Sequence, residues 1–342
     1  MLPIQFVRVL PVFRLFSLPL VLSALLLTTV PAHADVQLVT SIKPLQLIAA
    51  AVQGGAGSPA VLLPPGASPH HYAMRPSDVR QVRSADLFYW IGPDMEGFLA
   101  PVLKGRKGPT VAVQALPGMS LRHFGEAHAH DEQGDDGHAA HDEHDKHEHD
   151  HDHETSAVEA HEHDHDHRPG SLDAHLWLLP ANARVIAEDM ARQLAAVDPA
   201  NAERYAANLA TFRQQLDALD ARLQERLGKV RSKPYFVFHE AYDYFEAAYG
   251  LRHAGVFSAG GEAQPGARHV AAMRERLEQA GPSCVFYEPP VRPRLADSLV
   301  RGLPVKVAEL DALGYEIAPN AQGYERLIDT LGSSLAKCLE SL

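Results

Sequence analysis

Cysteine is scarce: Cys284 and Cys338 are the only two in a chain of 342 residues. An even number of cysteines in an exported chain predicts a disulfide, because extracytoplasmic compartments are oxidising. A pair of buried free thiols is the alternative that the sequence leaves open. We expect the disulfide.

Long apolar runs are absent beyond the N-terminus, so no later segment is expected to span a membrane. Within residues 1–34, two arginines precede an almost purely apolar run, 15–30, which ends at Ala32-His33-Ala34. This pattern predicts a signal peptide that is cleaved after Ala34. An uncleaved anchor is the alternative, but the run is short and contains Pro19. No cysteine follows the cleavage site, so we expect no lipid anchor there and place the mature chain in the periplasm of a Gram-negative bacterium.

A surplus of basic residues is also missing. The formal net charge is −12, and residues 126–167 alone hold sixteen Asp or Glu and one Lys, a net of −15. Taking −15 out of −12 leaves +3 for the rest, or about +1 without the two signal-peptide arginines. No basic stripe remains that would bind nucleic acid, so we expect no such partner.

Large apolar residues are nearly missing from 123–170, where His, Asp, Glu, Ala and Gly dominate. Such a segment buries too little apolar surface to offset its ordering entropy, so we predict a disordered insertion in a surface loop. Alternating His and Asp offers many weak metal ligands, although a solvated acidic linker is the alternative. The predicted weak sites are His128, His130, His138, His141, His144, His147, His149, His151, His153, His161, His163, His165 and His167.

Outside this insertion, short apolar runs alternate with helical patterns, which predicts an α/β fold with mostly parallel sheets flanked by helices. A long amphipathic helix is predicted at 202–228, since apolar residues recur there at spacings of three and four. It would be about 40 Å long. The predicted strands are 36–40, 60–63, 87–91, 235–238, 284–287 and 305–309, and the other main predicted helices are 44–53, one from Pro76, 180–197 and 240–249.

Three histidines occupy similar places in this pattern. His70 lies in the loop after a predicted strand, His175 precedes the helix that begins at Pro180, and His239 directly follows another strand. Ligands of open α/β sheets bind outside the carboxyl ends of strands, so these side chains could form a zinc site. A structural hydrogen-bonding role is the alternative for each, and their spacing matches no compact motif such as H-E-x-x-H.

Several stretches resemble, in the same order, the zinc-specific branch of the metal-binding proteins that serve ABC importers. The resemblance covers nearly all of residues 35–342, and the histidine-rich insertion is a further mark of this branch. The matching stretches are Gly66-Ala67-Ser68-Pro69-His70-His71-Tyr72 with Arg75-Pro76-Ser77-Asp78, Gly92-Pro93-Asp94-Met95-Glu96, Asp173-Ala174-His175-Leu176-Trp177-Leu178, Phe236-Val237-Phe238-His239-Glu240-Ala241-Tyr242 and Cys284-Val285-Phe286-Tyr287-Glu288-Pro289.

The resemblance implies two α/β lobes joined by one long linking helix, with the metal in the cleft between them. It also implies that Cys284 pairs with Cys338. The corresponding boundaries are 1–34 for the signal peptide, 35–200 for the N-terminal lobe with the insertion at 123–170, 201–228 for the linking helix, and 229–342 for the C-terminal lobe.

A zinc ligand set follows from the same resemblance: His70, His175 and His239. His71 and Glu288 are candidates for an additional ligand, and we favour a structural role at the strand end for Glu288. Manganese-binding relatives complete their site with an Asp that this chain lacks in the stretch around Glu288. Three imidazoles suit zinc better than manganese, which prefers oxygen ligands.

The function implied is that of a periplasmic protein that captures Zn2+ and delivers it to an ABC importer, made of a membrane permease and a cytoplasmic ATPase. We expect a monomer without catalytic activity. Alternatives are a manganese or nickel substrate-binding protein, a periplasmic zinc buffer with the insertion as its functional part, and a zinc hydrolase. The hydrolase would need a general base beside the metal, for which Glu240 is the obvious candidate.

Overall fold

A computed structural model of the protein describes residues 35–125, 170–258, 267–290 and 292–342. The predicted signal peptide and most of the predicted insertion lie outside these residues. Asp35–Leu342 forms one compact unit that contains two four-stranded parallel sheets. Among the described residues, no helix has the length and apolar character needed to cross a membrane.

The first sheet has the strand order β2-β1-β3-β4, and all its pairs are parallel. Its central strands β1 and β3 are fully buried, as expected of a parallel sheet with both faces covered. The strands are β1 (Leu38–Thr40), β2 (Ala60–Val61), β3 (Leu87–Trp90) and β4 (Thr110–Ala112), and the helices among them are α1 (Lys43–Gln53), α2 (Pro76–Ser84) and α3 (Ala100–Leu103).

Two helices follow the insertion, α4 (Pro180–Val197) and α5 (Ala202–Gly228). Both have the bounds predicted from the sequence. Pro180 occupies the first turn of α4, where its missing N–H leaves no hydrogen bond unmade. The buried residues of α5 form one stripe, as its three- and four-residue spacing predicted: Tyr205, Phe212, Leu216, Leu219, Leu223 and Leu227.

The second sheet repeats the topology of the first, with the order β6-β5-β7-β8 and all pairs parallel. The predicted disulfide between Cys284 and Cys338 is present and ties this sheet to the C-terminal helix. The strands are β5 (Tyr235–His239), β6 (Gly255–Ser258), β7 (Ser283–Tyr287) and β8 (Val305–Glu309), and the helices are α6 (Asp243–Tyr249), α7 (Ala267–Ala280), α8 (Arg294–Leu299) and α9 (Gly323–Glu340).

Helix α5 packs against helices from both halves of the chain. Asn208 in α5 donates its side-chain amide to the carbonyls of Val52 and Gly54 at the end of α1, at 2.9 Å each. Near its other end, Leu223 lies so close to Gly332 of α9 that a Cβ on this glycine would come within 2.5 Å of it. The helix is therefore fixed to elements before and after it in the sequence.

Several predicted boundaries are wrong. The first strand begins at Leu38 rather than at 36, and the second ends at Val61 rather than at 63. Two further differences concern the segment after β5 and the insertion. The helix predicted from 240 begins at Asp243, because β5 continues through His239 and a turn follows, in which the amide of Ala241 donates to the carbonyl of His239 at 3.1 Å. The insertion was predicted to span 123–170, but His123 pairs with Leu172 in an antiparallel bridge and the amide of Gly170 donates to Phe124 at 2.8 Å. The residues at its two ends are thus part of an ordered stem.

Candidate metal centre

The three histidines singled out by the sequence converge at one place. The ring centroids of His175 and His239 are 4.9 Å apart, those of His70 and His175 are 5.3 Å apart, and those of His70 and His239 are 5.5 Å apart. One ring nitrogen from each lies within 4.8 Å of the other two. A single ion can therefore reach all three imidazoles.

His70 is carried by the loop between β2 and α2, and hydrogen bonds shape this loop on both sides. Its backbone amide donates to the Ser68 hydroxyl at 3.2 Å. Beyond it, the buried Asp78 accepts from the Tyr72 hydroxyl at 2.9 Å and from the Arg75 amide at 2.8 Å. The second bond caps the first turn of α2, so the start of this helix anchors the loop.

His175 is the most deeply buried of the three, with 2% of its surface exposed. It precedes a 3-10 turn, Leu176–Leu178, that leads into α4. The Asp173 carboxylate accepts from the His175 amide at 2.9 Å and lies 2.8 Å from ring atom Nδ1. With the proton on Nδ1, the Nε2 lone pair is available to a metal, which is the carboxylate–histidine–metal arrangement of many zinc sites.

Asp173 itself is fully buried. Burial raises its pKa well above the ordinary value, and the nearby carboxylates of Asp243 and Glu240 raise it further, although the hydrogen bond from His175 opposes the shift. Asp173 therefore holds its proton more tightly than an exposed aspartate does. A cation bound to the histidine would lower this pKa and stabilise the ionised carboxylate.

His239 ends strand β5 and has a carboxylate partner of its own. Its Nδ1 lies 3.1 Å from Oε2 of Glu288, the residue that follows β7. The other carboxylate oxygen of Glu288 is 3.0 Å from the Tyr242 hydroxyl. Because β5 and β7 are adjacent parallel strands, their carboxyl ends place these residues side by side.

The remaining candidates are not part of the group of three. His71 is exposed, with its ring centroid 6.4 Å from that of His70. Glu288 contacts His239 and is not part of the donor group, which fits the structural role favoured for it. The thirteen predicted weak sites, from His128 to His167, lie outside the described residues.

A second group of donor side chains is also buried: Asp243 and Glu246 of α6, and His253, which follows this helix. Glu246 accepts from the Tyr235 hydroxyl at 2.6 Å and lies 2.9 Å from Nδ1 of His253. The nearby carboxylates raise the pKa of His253 even though burial opposes this. These contacts are those of a buried hydrogen-bonded carboxylate–histidine pair, which ties the chain after α6 to that helix.

Sequence reasoning missed Asp173 as a functional residue, although it quoted the stretch that contains it. An acidic residue two positions before a candidate ligand was the available signal. His239 and Glu288 are 49 positions apart in the sequence, so no local spacing pattern indicates their contact.

The arrangement can hold a divalent ion of the borderline type. Three neutral imidazoles with two of them backed by carboxylates match a zinc site with three protein ligands, which leaves a fourth position open. Such a donor set is poor for manganese, which favours carboxylate and water oxygens.

The same fold occurs in a solved metal-binding substrate-binding protein. The chain is similar in fold to the manganese-bound substrate-binding protein FpvC of Pseudomonas aeruginosa, with a TM-score of 0.68 and 18% identity over 90% of this chain and 99% of that one. It is also similar to a crystal structure of ZnuA, with a TM-score of 0.66 and 19% identity over 88% and 99% of the two chains.

Sequence comparison identifies the family. The family model described as "Zinc-uptake complex component A periplasmic", ZnuA, matches residues 38–338. The chain therefore belongs to the ZnuA family. A relative from Yersinia pestis named high-affinity zinc uptake system protein ZnuA is 37% identical over 320 residues, which are 93% of this chain and 96% of the relative.

Proposed function

We propose that this protein captures Zn2+ in the periplasm and delivers it to an ABC importer. The observation that carries the proposal is the approach of one ring nitrogen each from His70, His175 and His239 to within 4.8 Å of one another. Membership of the ZnuA family and the zinc-uptake name of the Yersinia pestis relative support it.

In this proposal the three histidines are the protein ligands of the zinc ion. His175 and His239 bind through Nε2, because a carboxylate occupies the Nδ1 side of each ring. Water fills the fourth position. Glu288 orients His239, and His71 remains outside the coordination sphere because its exposed ring points no donor into the group.

The lobe boundaries proposed from the sequence, 35–200 and 229–342, divide these ligands between the two sheets. His70 and His175 then belong to the first lobe and His239 to the second, so zinc bridges them and favours a closed form. Helix α5, fixed to both α1 and α9, supports only a modest movement on release.

The partners are proposed from the family as a permease and an ATPase, with this chain acting as a monomer after cleavage of its signal peptide at Ala34. The histidine-rich insertion is proposed to collect zinc weakly near the cleft, since its tether raises the local concentration of bound ions. Zinc is then cargo and takes part in no catalysis, and a zinc-loaded protein that hydrolyses ester or phosphate substrates would contradict this.

The test is metal analysis of protein purified without added metal, followed by competition between zinc and manganese. We expect one tightly held zinc per chain that a large excess of manganese does not displace. Displacement by equimolar manganese would contradict the zinc assignment. Growth of a deletion strain under zinc limitation separates an importer component from a zinc buffer, because only the importer component is required there.

A further inference from the structure

Tyr244, in the first turn of α6, binds two backbone segments that precede α5 in the chain. Its side chain is fully buried. The hydroxyl donates to the Asp173 carbonyl at 2.9 Å and accepts from the Arg122 amide at 2.9 Å. These partners lie 71 and 122 positions away in the sequence.

Arg122 and Asp173 form the pair of the stem that lies farthest from the histidine-rich insertion. The Asp173 amide donates to the Arg122 carbonyl at 2.9 Å, and the next amide along the stem, that of Phe124, donates to Ser171 at 3.0 Å. The Tyr244 hydroxyl therefore completes a ring of three hydrogen bonds, from Tyr244 to Asp173, from Asp173 to Arg122 and from Arg122 back to Tyr244.

This ring of hydrogen bonds is connected to two of the three candidate histidines, His175 and His239. The Asp173 side chain holds both the backbone amide and the Nδ1 of His175. On the other side, Tyr244 lies five positions after His239, beyond a short turn that leads from β5 into α6. Tyr244 thus sets the position of the segment that carries His175 relative to the strand that carries His239.

We propose that the Tyr244 hydroxyl is a positioning group for zinc binding. It touches no metal, and it acts by fixing Asp173, which in turn orients His175 opposite His239. The proposal rests on the proposed function, since it takes these histidines to be zinc ligands. It also makes the stem of the insertion part of the same hydrogen-bonded unit, so zinc in the cleft and order in the stem favour each other.

The test compares Tyr244→Phe with Tyr249→Phe in the full mature chain. Tyr249 lies one and a half turns later in α6, is 1% exposed, and donates its hydroxyl to Asp220 in α5 at 2.8 Å. Each substitution removes one buried hydroxyl from the same helix, so both variants should lose thermal stability. Only Tyr244→Phe should weaken tight zinc binding, by up to about tenfold, the lower end of the loss seen when a group that touches a ligand is removed, because Tyr244 acts through Asp173.

Two readouts separate positioning from a general loss of stability. Zinc affinity is measured by competition with a chelator, and the coordination geometry is read from the visible absorption of Co2+ bound in place of zinc. We expect an altered Co2+ spectrum in Tyr244→Phe and a wild-type spectrum in Tyr249→Phe. Equal zinc affinities and identical spectra in the two variants would overturn the proposal.

A further measurement needs no variant. In the wild-type protein, one equivalent of Zn2+ should slow hydrogen exchange at the amides of Arg122 and Asp173, and unchanged exchange would also overturn the proposal. His239→Ala tests the proposed function separately. If it keeps tight zinc binding, the three-histidine site is wrong, whereas tight binding lost in His239→Ala but unaltered in Tyr244→Phe rejects only the positioning role.

Discussion

The carboxylate behind His175 gives the most informative single substitution. Asp173→Asn keeps an acceptor oxygen for the amide and Nδ1 of His175 but removes the negative charge. Because Asp173 is fully buried, water cannot enter to compensate for the lost carboxylate. Loss of a group that orients a ligand costs about 10- to 100-fold in metal affinity, or roughly 1.4 to 2.7 kcal/mol. We expect Asp173→Asn to lie near the lower value and Asp173→Ala, which also removes the acceptor, near the upper.

The assay is chelator competition at pH 7.5 with the full mature chain. Asp189→Asn is the matched control, since Asp189 is also a buried aspartate and accepts from the Tyr89 hydroxyl at 2.8 Å, but its helix α4 carries no ligand. The control should change stability without changing zinc affinity. A dissociation constant for Asp173→Asn within twofold of the wild-type value would refute the carboxylate–histidine reasoning.

Four further results are expected. His239→Ala should abolish tight zinc binding in calorimetry, whereas His71→Ala should leave it nearly intact; the reverse order would remove His239 from the ligand set. Reduction of Cys284–Cys338, which closes a loop of 54 positions, should lower the free energy of unfolding by roughly 2 to 4 kcal/mol and preserve zinc binding. Deletion of 126–169, which keeps the stem, should leave one tight site in equilibrium dialysis and remove only weak binding; loss of the tight site would show that the insertion supplies a ligand. Glu96→Gln should remove a pH dependence of stability, because burial raises the pKa of Glu96 from 4.5 to about 7 and the folded state then binds a proton that the unfolded state has lost. As the pH rises from 4.5 to 7, the wild type should lose up to roughly 3 kcal/mol in its free energy of unfolding, and the variant should not. An equal loss in both proteins, measured by denaturation at several pH values, would contradict this.

The bounds of helices were predicted correctly where they depend on local sequence pattern. The stripe of apolar residues in α5 and the proline that opens α4 gave both helices their bounds, because spacing and capping act within a few residues. The start of α6 was misplaced, because β5 pairs with two neighbours and extends to His239, and pairing with distant strands overrides local helix preference.

The three candidate histidines could be named from their places in the predicted elements and from the resemblance, but most of their partners could not. Asp173 contacts His175 within one short segment, so its spacing alone was a sufficient signal. Glu288 reaches His239 only because β5 and β7 are adjacent in the sheet, and Tyr244 reaches Arg122 across 122 positions. Contacts of this kind depend on the order of strands, which the sequence pattern does not contain.

The most direct test of the three-histidine site is X-ray absorption spectroscopy at the zinc edge. The sample is the 1:1 zinc complex of the protein that lacks 126–169, so that the insertion contributes no signal. The account predicts three imidazole nitrogens and one further light atom at about 2.0 to 2.1 Å. A first shell with fewer than three imidazoles would contradict it.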